Sequence, residues 1–390
     1  MKIKHLFVFS ILIISLSSCL KDEPQGRETD ITSFKIKTGF YIDTDIRQNE
    51  VFVYVTDDMD LQKVAPEIEL SPGASIIPAS GSEQDFSKGA VTYKVISEDG
   101  EYSKNYGVTF IRLSSLNLKF DFEDWKQTAS KYYDLQVKTN EGYLVKVWDS
   151  GNPGIAFVNS GNNDFPTGPS LTSDSYTGNY AAKMETLYGG VKLGTTINIP
   201  IFSGSLFYGR FSLDQGIDEP RKCLRLGRIY PEKYGKPLTF TGYYKYTLGS
   251  PYVYLDENKN EIRTDEIKDA FSLYAVLFKV TKGNSADEYL DGITIIDSDK
   301  IVARADWKPE TREETDQLVD KGFTKFTIPF QFVNGQELDF KNNDYKITIM
   351  FASSKDGNEY KGSIGSTLIV DDVEIIYEKQ EEGEEKNEKK

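Results

Sequence analysis

Short runs in which apolar and polar residues alternate occupy residues 30–113 of the chain. Apolar side chains fall at every second position of residues 51–55, 91–95 and 106–110, which is the period of a half-buried β-strand. The Asp99-Gly100 pair between the last two runs predicts a hairpin. Since no sustained 3.6-residue period occurs, the pattern favours a small immunoglobulin-like sandwich, without the cysteine pair and tryptophan of antibody domains.

The same alternation continues over residues 114–378 in longer runs of strand length. Between them lie loops rich in Gly, Asn, Pro and Asp. Only residues 309–321 have a helical pattern, and that segment is mostly polar. Two sheets with one apolar face each bury one another most simply as a sandwich. The sequence therefore predicts an all-β protein in which a larger jelly-roll β-sandwich follows the immunoglobulin-like one.

The N-terminus has the pattern of a secretory leader. Lys2 and Lys4 precede an apolar run at residues 6–16 that is too short to span a bilayer stably. The tetrapeptide Leu16-Ser17-Ser18-Cys19 resembles a bacterial lipobox, which implies cleavage after residue 18 and lipidation of Cys19. An ordinary secretory signal with an incidental cysteine is the alternative.

Residues 20–24, Leu-Lys-Asp-Glu-Pro, resemble the signal that sends Bacteroidota lipoproteins to the outer face of the outer membrane. A charged run after a lipid anchor is also a simple solvated linker. We expect residues 1–18 to be the signal peptide, residues 19–29 to be a linker, and the mature protein to be anchored in the outer membrane at the cell surface.

Composition excludes several kinds of chemistry. The only histidine, His5, is lost with the leader, so the mature chain has no Ser-His-Asp or Cys-His nucleophile and no histidine-ligated metal. With Cys19 lipidated, Cys223 has no partner for a disulfide. Common proteases, lipases and esterases are therefore excluded, and the fold depends on packing.

Charge also narrows the range of partners. The precursor carries a formal charge of −15, and loss of Lys2 and Lys4 makes the mature chain more acidic. Nucleic acid is not an expected partner, because its binding needs a clustered basic face. Residues 379–390 are almost entirely charged or polar, so we expect a disordered tail.

Residues 114–378 contain several motifs that together resemble one known family. The segments, which occur in the family's order, are FDFEDW (120–125), WDSGNPG (148–154), YAAKMET (180–186), GKPLTFTGYYKY (235–246) and SSKDGNEYKGSIGSTLIVDDVEI (353–375). The region is similar to the putative carbohydrate metabolism domain of Bacteroidota lipoproteins. This resemblance implies a galactose-binding-like jelly roll and a link to glycans, without an assigned catalytic residue. Residues 30–113 are similar to the immunoglobulin-like spacer of such lipoproteins.

Four side chains are candidates for contact with carbohydrate. In residues 238–246, alternation places Leu238, Phe240, Tyr244 and Tyr246 on one face and Tyr243 and Lys245 on the other. A tyrosine ring and an ammonium group suit the C–H faces and hydroxyls of sugars. Trp148 and Tyr252, which lie beside loops, are further candidates. For each residue the alternative is packing beneath a loop.

A structural calcium ion is a second expectation. Jelly-roll sugar-binding modules often hold calcium where their first and last strands meet, and residues 120–123 and 369–373 are similar to those strands. Glu123 and Asp371 are the predicted ligands, with Asp371 in phase with the apolar Ile369, Val373 and Ile375. The alternative is that Asp371 accepts backbone N–H groups and binds no metal.

These observations favour a non-enzymatic lipoprotein that binds glycan at the cell surface. One alternative is a glycoside hydrolase on the same fold, which would need only two carboxyl groups. Another is a structural or adhesive protein with protein partners. The sequence identifies no catalytic pair, because acidic residues are too numerous for their spacing to be informative.

Overall fold

The computed structural model describes residues 25–37, 41–55, 59–112, 117–140, 142–158, 164–193, 197–213, 219–283, 288–307 and 322–378. Regular structure in these ranges is almost entirely β-strand, which confirms the all-β prediction, and the α-helix found there is α1 (Asn152–Val158). The leader with Cys19, the helical pattern at 309–321 and the tail from residue 379 lie outside the described residues. Within the described ranges, no helix is long and apolar enough to cross a bilayer.

The N-terminal region forms a two-stranded sheet, β1-β4, and a five-stranded sheet in the order β2-β3-β7-β6-β5. Strands β6 and β7 are antiparallel and flank the Asp99-Gly100 turn, as the hairpin prediction required, whereas β3 and β7 are parallel. The core of this region includes Phe34, Val53 and Tyr93. Its strands are β1 (Ile31–Lys35), β2 (Tyr41–Ile46), β3 (Glu50–Val55), β4 (Glu67–Leu70), β5 (Ser75–Ile77), β6 (Val91–Ile96) and β7 (Ser103–Arg112).

The second region contains the remaining strands and four short 3-10 helices among the described residues. The strands are β8 (Lys119–Phe120), β9 (Asp124–Gln127), β10 (Tyr133–Lys138), β11 (Leu144–Val145), β12 (Trp148–Ser150), β13 (Thr167–Pro169), β14 (Ala182–Glu185), β15 (Leu187–Leu193), β16 (Ile197–Phe202), β17 (Ser205–Phe211), β18 (Leu224–Leu226), β19 (Arg228–Ile229), β20 (Pro237–Thr247), β21 (Tyr252–Leu255), β22 (Glu261–Thr264), β23 (Ser272–Thr281), β24 (Ile301–Trp307), β25 (Thr324–Pro329), β26 (Gln331–Phe332), β27 (Asn343–Ala352), β28 (Gly362–Ser363) and β29 (Thr367–Tyr377). The 3-10 helices are Pro220–Cys223, Glu232–Tyr234, Val333–Gly335 and Gly357–Glu359.

Two large sheets form the sandwich of this second region. The eight-stranded sheet has the order β12-β17-β27-β23-β24-β26, with β18 and β19 paired at its side. The six-stranded sheet has the order β13-β14-β29-β20-β25, with β8 paired to β29. Rings from both sheets meet between them, as Phe240 and Phe351 do at 6.2 Å. One continuous apolar core therefore joins the two sheets.

The N-terminal region also contributes to that core. Phe52 and Tyr54 on β3 and Ile111 on β7 are buried in the same apolar cluster as the second region's core. The guanidinium of Arg228 lies 5.8 Å from the Tyr54 ring, and Arg210 donates a hydrogen bond to the Thr44 carbonyl at 2.9 Å. One face of the five-stranded sheet thus packs in the core of the N-terminal region, and its other face packs against the second region.

A β-bulge changes the phase of the last strand. Thr241 pairs with Glu374 and Tyr243 with Asp371, so Gly242 on β20 faces two residues of β29. Asp372, one of those two, has a left-handed φ of 46°. The bulge explains why Leu368 and Val370 on one side of it and Val373 on the other all enter the core.

Candidate functional site

Strand β20 has one apolar and one polar face, as its alternation predicts. Phe240, Tyr244 and Tyr246 are buried in the core between the sheets. Tyr243 and Lys245 point to the opposite side and are half-buried. We call this opposite side of the six-stranded sheet the outer face.

Asp371 belongs to the outer face, which corrects the predicted phase. It pairs directly with Tyr243, and Ile369 pairs with Lys245, so these residues share one side of the sheet. Val373 lies in the core instead, because the bulge shifts the alternation between residues 371 and 373. The sequence pattern could not reveal this shift, since nothing in the apolar spacing marks the bulge.

The loop of residues 171–180, between β13 and β14, lies against the outer face. The backbone N–H groups of Tyr176 and Thr177 donate hydrogen bonds to Oδ2 of Asp371 at 2.8 and 3.1 Å. The hydroxyl of Thr177 donates to Asp372 at 2.8 Å, and Lys245 forms an ion pair with Asp174 at 2.7 Å. The loop is therefore bound to the sheet by both its backbone and its side chains.

Glu123 holds the far end of the same loop. Its Oε1 atom accepts hydrogen bonds from the backbone N–H groups of Asn179 and Tyr180 at 2.9 and 3.1 Å. Gly178 makes this approach possible, because a Cβ atom there would lie 2.0 Å from Glu123 Oε1. The left-handed φ of 62° at Gly178 also suits glycine.

Three aromatic side chains cluster where the loop crosses β20. The rings of Tyr176 and Tyr243 are stacked, with centroids 3.5 Å apart and planes 15° apart, and Phe323 packs edge-on against Tyr176 at 5.9 Å. Tyr176 remains 44% exposed. The arrangement presents one supported aromatic ring to solvent beside the Lys245–Asp174 ion pair.

Burial dominates the electrostatics of Asp371. Its side chain has 0% exposure, and desolvation raises its pKa to about 6. The three backbone N–H groups of Tyr176, Thr177 and Asp372 oppose this rise, because they stabilise the ionised form.

The two predicted calcium ligands, Glu123 and Asp371, both contact the 171–180 loop. The first and last strands of the region do meet, since Phe120 of β8 pairs with Val373 of β29. In this arrangement carboxylate oxygens of both Glu123 and Asp371 accept backbone N–H groups of that loop. Among the described residues, no group of three or more acidic, Cys or His side chains could hold a metal ion. Asp371 accepts backbone N–H groups, as the alternative expectation states, and calcium binding by this residue stays a prediction.

Trp148 lies in the core, which corrects its assignment as a candidate for sugar contact. Its side chain has 0% exposure and is surrounded by other rings. It stacks on Phe351 with centroids 5.9 Å apart and meets Phe120 edge-on at 4.9 Å. A ligand could reach this indole only if the sandwich opened.

Tyr252 is likewise buried rather than exposed beside its loop. It lies in β21 between β22 and β28, where it pairs with Thr264 and Ser363. Burial raises the pKa of its phenol. The structure therefore brings Tyr243, Lys245, Glu123 and Asp371 together around one loop and places Trp148 and Tyr252 elsewhere.

Tyr176 is the residue at this site that the sequence reasoning missed. It lies in the segment Ser-Asp-Ser-Tyr-Thr-Gly-Asn-Tyr (173–180), where turn-forming residues surround two tyrosines. Aromatic rings in so polar a segment have no apolar neighbours in sequence to pack with, and this was a usable signal. Its stacking on Tyr243 depends on the fold.

Two solved structures resemble the whole chain or much of it. A crystal structure of a putative glycoside hydrolase from Bacteroides thetaiotaomicron is 28% identical, with a TM-score of 0.76, over 92% of this chain and 99% of that one. A second, of a putative glycoside hydrolase from Bacteroides vulgatus, is 29% identical with a TM-score of 0.56, over 68% of this chain and all of that one.

Family comparisons divide the chain at the same place as its sheets. Residues 31–110 match the N-terminal domain of SGBP, the surface glycan-binding proteins. Residues 121–376 match the putative carbohydrate metabolism domain, and this match includes the outer face, the 171–180 loop and most of the core described above. The chain therefore belongs to the family of the putative carbohydrate metabolism domain.

Proposed function

We propose that this protein binds glycan at the cell surface and retains it at the outer face of the six-stranded sheet. The observation that carries the proposal is the exposed ring of Tyr176, supported from behind by Tyr243. A rigid, half-exposed aromatic ring provides a flat apolar surface on which the C–H face of a sugar can stack.

Polar groups beside the ring suit the hydroxyls of a sugar. Lys245 and Asp174 are each partly exposed, so their ion pair offers both a donor and an acceptor next to Tyr176. The carboxylate of Asp372 and the hydroxyl of Thr177 add a further pair at 2.8 Å. The loop backbone is held by Asp371 and Glu123, which preorganises these groups before a ligand arrives.

Glycoside hydrolysis is the second candidate function. Both solved relatives carry the name of putative glycoside hydrolases, and the pKa of Asp371, about 6, is in the range of a general acid. Its geometry favours binding instead, because Asp371 has no exposure and its two oxygens accept three backbone N–H groups. A catalytic acid must reach the glycosidic oxygen.

The direct test measures retention and cleavage together. The purified chain from residue 25 to residue 378 is applied to immobilised laminarin, xylan, starch, galactan and mannan, and released reducing ends are assayed. Binding without release is expected. Tyr176→Ala and Tyr243→Ala should weaken retention at least fivefold, as the loss of a stacked ring at a binding site does.

Tyr102→Ala is the matched control, because Tyr102 is an exposed tyrosine in the N-terminal region. It should leave retention unchanged. Release of reducing ends would establish a hydrolase instead, and its loss or persistence in Asp371→Asn would then show whether this carboxyl group takes part. Absence of both retention and release across a wider glycan array would favour the structural or adhesive role.

We also propose that lipid on Cys19 anchors the mature protein in the outer membrane. The leader pattern and the SGBP match of residues 31–110 support this location. Palmitate should label the native protein, and Cys19→Ser should abolish the labelling. Undiminished labelling of the serine variant would contradict the anchor.

A further inference from the structure

Four residues lie in register across the outer face, one on each of four neighbouring strands. Gly168 on β13 pairs with Lys183 on β14, Lys183 pairs with Ile369 on β29, and Ile369 pairs with Lys245 on β20. Paired residues of adjacent strands point to the same side of a sheet. The row therefore runs across the strands from the edge strand β13 to the aromatic cluster on β20, and Ile369 within it is buried at 4% exposure between the two partly exposed lysines.

Tyr133 lies at the far end of this row. It belongs to β10, and the Cδ2 atom of its ring is 3.9 Å from the place that a Cβ atom of Gly168 would occupy on the outer face. The ring is 37% exposed. A half-exposed tyrosine thus lies over the outer face at each end of the row, Tyr133 beside β13 and Tyr176 beside β20.

A lysine–carboxylate ion pair accompanies each ring. Lys245 forms an ion pair with Asp174 at 2.7 Å near Tyr176. Lys183 forms an ion pair with Glu185 at 2.6 Å on β14, next to β13, over which Tyr133 lies. All four charged side chains are partly exposed. Since β14 and β20 are separated by one intervening strand, the backbones of Lys183 and Lys245 lie roughly 10 Å apart.

We infer that Tyr133 and the Lys183–Glu185 pair form a second sugar-binding position, so that the ligand is a linear, uncharged glycan chain lying across the strands. This inference rests on the proposed function of the Tyr176 position. The spacing of the two lysines across the sheet is comparable with the length of a disaccharide, so one chain can occupy both positions. Each ion pair has no net charge, which favours a neutral chain over a uronate or sulfated one.

The test compares chain lengths of one ligand. Oligosaccharides from disaccharide to octasaccharide are prepared from whichever of laminarin, xylan, starch, galactan or mannan is retained, and their affinities are measured by calorimetry. Affinity should rise with length and then reach a plateau. Tyr133→Ala should lower affinity for the long chains at least fivefold and leave the shortest bound ligand unaffected, whereas Tyr176→Ala should weaken binding at every length.

Lys183→Met keeps an aliphatic side chain and removes the charge, so it tests the ion pair separately. It should lower the affinity for the long oligosaccharides only. Thermal melting of each variant identifies any loss of folding. Equal affinity of wild type and Tyr133→Ala for the long chains would overturn the second position while leaving the Tyr176 site intact. Tighter binding of polygalacturonate than of the neutral chains would overturn the inferred substrate class.

Discussion

Tyr243 and Tyr244 are neighbours in β20, yet they belong to different parts of the molecule. Tyr244 is 1% exposed and packs against Phe271 and Phe326 in the core, whereas Tyr243 stacks on Tyr176 of the 171–180 loop. The inner face of the six-stranded sheet is largely apolar and buried. The outer face carries charges, hydroxyls and half-exposed rings.

The comparison separates the side chains that stabilise the fold from those that can contact a ligand. Rings on the inner face contribute to stability because each is surrounded by other side chains. Rings on the outer face are only partly buried, so their loss should affect binding more than folding. Single substitutions on the two faces should therefore differ in their cost to stability.

Truncation of the inner-face rings should have the largest effect. Tyr244→Ala and Trp148→Ala each remove a fully buried aromatic side chain, and such changes cost about 3–5 kcal/mol of unfolding free energy. Denaturant unfolding of the purified protein measures the loss. A cost below about 1 kcal/mol for both variants would show that the inner face is not the stabilising side.

The second-largest effect should be a loss of stability as the pH rises. Burial raises the pKa of Asp371 to about 6, above its value of about 4 in the unfolded chain. Folding therefore favours the protonated carboxyl group. The resulting contribution to the unfolding free energy is at most about 3 kcal/mol, is fully present below about pH 4, and is lost as the pH rises through about 6. Unfolding free energy measured across this range should fall less steeply in Asp371→Asn.

Asp269 provides a parallel case away from the outer face. Its buried carboxyl also has a pKa raised to about 6 by desolvation. Asp269→Asn should therefore remove a similar part of the slope without affecting hydrogen exchange in the 171–180 loop. Identical pH profiles for wild type and both variants would contradict this account.

Gly178→Ala should have an intermediate effect confined to the loop. The substitution places a Cβ at a left-handed position and against Glu123, so we expect a cost of about 1–3 kcal/mol. Gly100→Ala is the matched control, because its φ is 73° but no atom lies within 4 Å of the added Cβ. Denaturant unfolding should show a larger cost for Gly178→Ala, and equal costs would mean that the Glu123 contact contributes nothing.

Tyr243→Ala should have the smallest effect on stability. Its ring packs on a loop rather than in the core, so we expect a loss of less than about 1 kcal/mol. The same variant should lose glycan retention, and the shift in melting temperature relative to Tyr244→Ala provides the comparison. A melting temperature as low as that of Tyr244→Ala would place Tyr243 with the core instead.

The sequence predicts the strands and the two faces of β20 well, because strict alternation encodes them. It does not predict the side on which Asp371 lies, since a bulge of one residue reverses the phase and has no signature in the apolar spacing. Trp148 illustrates a second limit. A large ring beside a polar loop has the same local sequence whether it lies above the sheet or between the sheets, and only long-range packing decides.

The shared core of the two regions has a mechanical consequence for a tethered protein. Phe52, Tyr54 and Ile111 are buried against the second region, so bending between the regions would expose apolar surface to water. The chain is already fastened to the N-terminal region at Gly26, whose N–H donates to Glu98 at 2.8 Å. If the protein is anchored through Cys19 as proposed, tension from a glycan bound at the outer face would pass to the N-terminal region through this packed interface, and the two regions would move as one unit.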